Sequence, residues 1–217
     1  VTVRAVQATA EATNDAKALQ RFVSWGTANE WHLREAADAF LLDDIQLGTG
    51  VLYIPWIETV KKTKSAVVTQ RGPVILPVAI EDFLVPGGSR GDLQRDRWCG
   101  LRTFLTRSEL ETRATARGWD IDGVSPCGEV SFVRTMREQF GRTAGQISRK
   151  GTLYEIWDLH ALYDIDADGQ AEDLLLTWDR TSRKVLKAGF AGYDHKPFEA
   201  ARYQIRPHLF YGLSVME

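Results

Sequence analysis

Two cysteines, two methionines and four histidines are all that this 217-residue chain offers to thiol or soft-metal chemistry. Cys99 and Cys127 stand far apart in sequence. Nothing in their placement requires a disulfide, and free, buried or half-buried thiols in a reducing compartment are the expectation. His32, His160, His195 and His208 have no partner at zinc-ligand spacing. His160, two residues from Asp158, reads as a solvated or hydrogen-bonded imidazole on the polar face of a strand. No uninterrupted apolar run approaches the ~20 residues that cross a bilayer, and Val1-Thr2-Val3-Arg4 opens no secretory leader. Without an initiator Met, and ending at Met216-Glu217, the chain is expected to be a piece of something longer. Acidic and basic residues nearly balance, 29 against 27. A net charge of −2 gives no global attraction to nucleic acid or to an anionic membrane.

Loops that hold phosphates or nucleophiles are incomplete. Gly48-Thr49-Gly50 leads into a strand and has no third glycine at Tyr53, so it fails as a dinucleotide fingerprint. Pro86–Gly91 offers backbone amides for an anion but lacks the Lys-Ser/Thr pair of a nucleotide loop, and reads as a plain loop. Gly212-Leu213-Ser214-Val215-Met216 starts like a nucleophile elbow and has Met where the closing glycine belongs. No catalytic and no cofactor-binding residue is assigned.

What is present is ordinary globular composition, 44% hydrophobic and 26% charged. Apolar residues recur at helical spacing over 14–24, with Thr13 or Asn14 as cap and Gly26 as an end or kink. A second helix is expected from about Asn29 to Leu47, with Leu33, Ala36, Ala37, Phe40 and Leu41 as its stripe and Gly48 as its stop. The period then changes. Val51–Ile57 and Val74–Ile80 are β-rich, and the proline in each places it at a sheet edge or at a bulge or break. Lys61-Lys62-Thr63-Lys64 suits a hairpin tip. A strand follows at about Arg97–Phe104. Thr106-Arg107-Ser108-Glu109 then has capping-box spacing for a helix ending at Gly118. A short helix at Val130–Phe140 and a polar, basic connection over Gly141–Gly151 come next. From Tyr154 to Ala188 the alternation of Trp157, Leu159, Ala161 and Tyr163 against Asp158 and His160 marks half-buried antiparallel strands. The fold class is α+β, helices first and mostly antiparallel strands later. The organisation reads as a helical and mixed α/β portion over 1–150 and a β-meander with an aromatic tail over 151–217.

One segment has the chemistry of a metal loop. Asp164, Asp166 and Asp168 alternate ahead of Gly169, as in an oxygen-coordinating Ca²⁺ loop. Continuing that count puts Gln170 at the seventh position, Glu172 at the ninth and Leu175 at the twelfth, where a bidentate Glu belongs. The alternative is an acidic hairpin turn, in which Asp favours the turn backbone and Gly takes positive φ. Any ion held here is expected to be structural. Upstream, Arg134, Arg137, Arg142, Arg149 and Lys150 form a basic block against the acids of 155–173. Such blocks are solvated faces, or complementary edges of neighbouring subunits.

In order along the chain, several stretches resemble a family. They are Ile45–Trp56 after a helix pair, Pro77–Pro86 with its Asp82-Phe83, Leu105–Leu110, and Tyr163–Leu176 followed by Lys196-Pro197-Phe198 and Phe210-Tyr211-Gly212-Leu213-Ser214. Together the chain resembles a tailed-bacteriophage portal protein, the head-to-tail connector, over the wing region that precedes a stem helix. The resemblance implies a structural subunit, not an enzyme, of a homo-oligomeric ring, commonly a dodecamer, at the portal vertex of the virion, assembled in the host cytoplasm. It implies major capsid protein, scaffold, terminase and tail adaptor as partners, no membrane, and DNA passing the channel without sequence-specific binding. The mild acidity suits that, since each phosphate contact by Lys or Arg adds affinity. Two other classes stay open: a Ca²⁺-dependent hydrolase or nuclease built on Asp164, Asp166 and Asp168, and a β-rich module that binds carbohydrate or peptide through tryptophans.

Overall fold

A computed structural model describes residues 9–29, 31, 33–62, 67–127, 153–165, 167–192 and 195–215. The expected helix at Val130–Phe140, the basic block over 134–150, and Thr63 and Lys64 of the expected tip lie outside the described residues. The chain divides into two compact units, one comprising Val1–Val78, Pro197–Ile205 and Tyr211–Glu217, the other Ala79–Lys196 and Arg206–Phe210. Among the described residues, three α-helices and ten strands in antiparallel sheets bear out the α+β class.

In the first unit, helix α1 spans Ala10–Asn29 and helix α2 spans Leu33–Leu47. Helix α1 starts earlier than the apolar spacing indicates, because the Thr9 hydroxyl accepts the amide of Ala12 and so caps the turn before Thr13. Gly26 does not end the helix. It is buried within it, and a Cβ there would meet the Trp31 indole at 2.5 Å, so the glycine serves close packing. Helix α2 stops where expected, at Gly48 with φ 79°.

Strand β1 (Thr49–Tyr53) is the centre of a three-stranded sheet, between β4 (Leu76–Val78) and β10 (Phe198–Arg202). Pro55 falls beyond the end of β1 and separates it from β2 (Trp56–Lys62). Pro77 sits in β4, an edge strand, so each proline occupies a place where its missing N–H removes no central ladder bond. Strands β2 and β3 (Val67–Pro73) pair as an antiparallel hairpin, and Lys61 and Lys62 of the expected tip belong to β2. Phe40 of α2 lies over β1, and a Cβ at Gly50 would come within 2.6 Å of the Phe40 carbonyl oxygen. Val51 is buried, and Phe198 stacks on Tyr53 at 4.9 Å. The amide of Gly212 donates to Thr49 Oγ1 at 2.9 Å, and a Cβ on Gly212 would overlap the Gly48 carbonyl. That close approach gives the glycine of the Tyr211-Gly212-Leu213 stretch its reason.

The second unit is built on a five-stranded sheet in the order β5-β6-β7-β8-β9, the strands being Phe83–Leu84, Trp98–Thr106, Leu153–Tyr163, Glu172–Asp179 and Lys184–Phe190. Thr106 and Glu109 form the expected capping box of helix α3 (Arg107–Arg117), and Gly118 closes it in the left-handed region. Helix α3 buries Leu110 and Ala114 against Leu105, Tyr154, Ile156, Leu186 and Trp119. Truncating a side chain as buried as Leu110 to Ala costs about 2–5 kcal/mol. Strand β7 is covered on both faces: Tyr154 and Ile156 on one side and Glu155 on the other are buried. The half-buried pattern read from Asp158 and His160 is corrected accordingly.

Candidate functional site

The acidic turn joins β7 to β8. Tyr163 pairs with Glu172, which brings that carboxylate back over the turn. One carboxylate oxygen from each of Asp164, Asp168 and Glu172 lies within 4.8 Å of the others. Asp166 lies outside the described residues. The loop is closed by the carboxylates themselves. Asp164 accepts the amides of Asp168 at 3.2 Å and Gly169 at 2.9 Å. Asp168 accepts the amide of Gln170 at 2.7 Å, and Glu172 that of Ile165 at 3.1 Å. Positive φ at Ala167 (60°) and Gly169 (90°) completes the turn. Three hard oxygen donors suit Ca²⁺, but each already holds a backbone amide. Glu172, the ninth position of the loop count, is brought to this group by strand register.

A second constellation centres on Lys196. Its side chain is buried, and Nζ donates to the carbonyls of Leu93 at 3.1 Å, Gln94 at 3.4 Å and Asp96. Gln94 brackets the same residue: its Nε2 donates to the Lys196 carbonyl at 3.0 Å, and its Oε1 accepts the Lys196 amide at 2.9 Å. Ser89, also buried, donates its hydroxyl to Asp96. The Pro86–Gly91 stretch is therefore one side of a pinned loop, and the pin is a cation capped by carbonyl dipoles. Helix geometry plays no part here. Sequence reading placed Lys196 in a conspicuous Lys-Pro-Phe run without its role; the burial of a lysine beside prolyl backbone left no periodic signal.

Beside this pin lie Cys99 and His160, register partners on β6 and β7. His160 is 3% exposed, so the surface imidazole expected from its neighbour Asp158 is corrected. The Asp158 carboxylate instead accepts the Thr177 hydroxyl at 2.7 Å. Burial first, and the Lys196 charge second, push the imidazole pKa down to about 4. Burial likewise pushes the Cys99 thiol up to about 12, against the opposing pull of Lys196. Both groups are neutral near pH 7. Cys99 and Cys127 are free thiols, the first buried and the second half-buried.

A shallow groove on the other face of the second sheet is lined by Cys127, Glu155, Trp157, Trp178, Arg180, Thr181 and Arg183. The rings of Trp157 and Trp178 meet edge to face at 5.3 Å. Glu155 is buried, accepts the Trp157 indole N–H at 2.9 Å and pairs with Arg180 at 3.1 Å. Arg180 also lies over the Trp157 ring at 5.7 Å. An acid so engaged orders its neighbours.

Comparison with known families gives the chain its place. The chain belongs to the phage SU10 portal protein family, whose model, described as Phage SU10 portal protein, matches residues 56–217. The family is a structural one, and the resemblance to tailed-phage portals read from the sequence is borne out. No curated protein matches the chain.

Proposed function

We propose that this chain is the wing portion of a portal subunit that, with identical neighbours, forms the ring through which double-stranded DNA enters and leaves the phage head. The family match over residues 56–217 carries the reading. Ring closure from one repeated chain uses a heterologous interface between different patches of each copy. Capsid, scaffold, terminase and tail adaptor are its partners, and the site of action is the portal vertex of a virion built in the host cytoplasm. The near-neutral charge of −2 supports passage of DNA without retention. The acidic hairpin serves as a self-closed turn. Structural Ca²⁺ held by Asp164, Asp166 and Asp168 is a second reading, favoured only by the grouping of Asp164 and Asp168 with Glu172.

The test is genetic. Deleting the gene from its phage is expected to leave heads without packaged genome, restored by the gene in trans. Normal yields of filled heads from the deletion would refute the role.

A further inference from the structure

The groove beside Trp157 is rich in hydrogen-bond donors that lack acceptors. Its one carboxylate, on Glu155, is buried and already accepts the Trp157 indole and Arg180. Arg180 is exposed and is held from that side alone. Nη1 reaches the Glu155 oxygens at 3.1 and 3.4 Å, and the guanidinium lies over the Trp157 ring. Its Nε and Nη2 donors, which form a planar fork, have no partner among the described residues. Arg183, exposed on the rim, makes no hydrogen bond or ion pair with them either, and neither do the Thr181 hydroxyl and the Trp178 indole N–H. Arg183 also holds φ 57°, a left-handed conformation that glycine adopts without strain. The turn between β8 and β9 thus carries a guanidinium where folding alone favours a glycine.

We propose that this groove binds an acidic segment of a partner protein, with one carboxylate on the Nε–Nη2 fork of Arg180 and an adjoining apolar side chain on the Trp157 and Trp178 rings. The site stands independently of the portal reading. A guanidinium fixed by a buried anion and an aromatic face is preorganised, so its open fork takes a carboxylate in bidentate fashion without first being ordered. Glu155 offsets Arg180, so the lining keeps the single positive charge of Arg183, which matches one carboxylate. A nucleic acid would need a track of cations for successive phosphates, and the chain as a whole carries −2. The edge-to-face tryptophans add an apolar floor, which a free inorganic anion would leave uncovered. A volume of about 720 Å³ suits a short segment and excludes a folded domain.

Titration calorimetry on the complete gene product, with a blocked peptide that alternates leucine and glutamate, tests the site. Saturable binding is expected. The same peptide with glutamine for glutamate should bind about tenfold more weakly, having lost a charge-assisted pair. Arg180→Lys keeps the charge and a partner for Glu155 but has no fork, and should weaken the acidic peptide by a similar factor. Arg183→Gly separates binding from folding. It removes the exposed guanidinium and suits the positive φ, so it should weaken the peptide without lowering Tm. Equal binding of the two peptides, no saturable binding of either, or an affinity unmoved by Arg180→Lys and Arg183→Gly would overturn the assignment. A short thymidine oligonucleotide that binds more tightly than the acidic peptide would also overturn it, by making the groove a nucleic-acid site.

Discussion

Lys196→Met keeps the length of the side chain and deletes the cation that pins the loop. Three carbonyl oxygens, on Leu93, Gln94 and Asp96, lose their shared donor. Hydrogen bonds to a charged group contribute about 1.5–3 kcal/mol each, and an orphaned buried acceptor costs about 1–3 kcal/mol. Against this stands the desolvation of the buried ammonium, several kcal/mol, which the methionine no longer incurs. The net loss is expected at about 2–4 kcal/mol, the orphaned carbonyls outweighing the relieved desolvation. For a chain of this size that lowers Tm by on the order of 10 °C. Urea unfolding gives the free energy. Hydrogen exchange then localises it, because the amides of Arg95 and Asp96, which donate to the Asp92 carbonyl at 3.1 and 3.2 Å, should exchange faster. A loss below about 1 kcal/mol, or a loss with those two amides still protected, would refute the pin.

His160 gives a pH signature. Its folded pKa of about 4 lies below its ordinary 6.5, so between these values the unfolded chain binds the proton more readily. Stability from this group is full above pH 6.5 and is lost as pH falls toward 4, by about 3 kcal/mol. In denaturant titrations across that window, His160→Gln should flatten the slope, and an unchanged slope would contradict the buried neutral imidazole. Gly50→Ala forces a Cβ to 2.6 Å from the Phe40 carbonyl, and an expected loss of about 1–3 kcal/mol would show in thermal melts. Titration calorimetry with Ca²⁺ should give no saturable heat, since the carboxylates of Asp164, Asp168 and Glu172 hold backbone amides. A heat abolished by Asp168→Asn would instead establish the ion.

Much of the fold was legible where the signal is local. Thr106 and Glu109 declare the cap of α3 by their spacing, Gly118 its end, and Gly48 the end of α2. The prolines placed the breaks and edges of the first sheet correctly, because a missing donor has few homes in a ladder. Strand β10 was not legible. Phe198–Arg202 has no strict alternation, and only its pairing with β1, some 150 residues earlier in the chain, makes it a strand. The candidate sites divide in the same way. Asp164, Asp168 and Glu172 stand at loop spacing, whereas Lys196 meets Leu93–Asp96 across about 100 residues. His160 was misplaced because alternation with Trp157 and Leu159 says which face a residue takes, and says nothing of what covers that face. The family resemblance, carried by the order of many short stretches, reached further than any one of them.

Electron microscopy of the complete gene product, purified at micromolar concentration, tests the central claim most directly. Top views are expected to show closed rings of one subunit number around an open channel. A uniform population of monomers, or of dimers without a channel, would contradict the account.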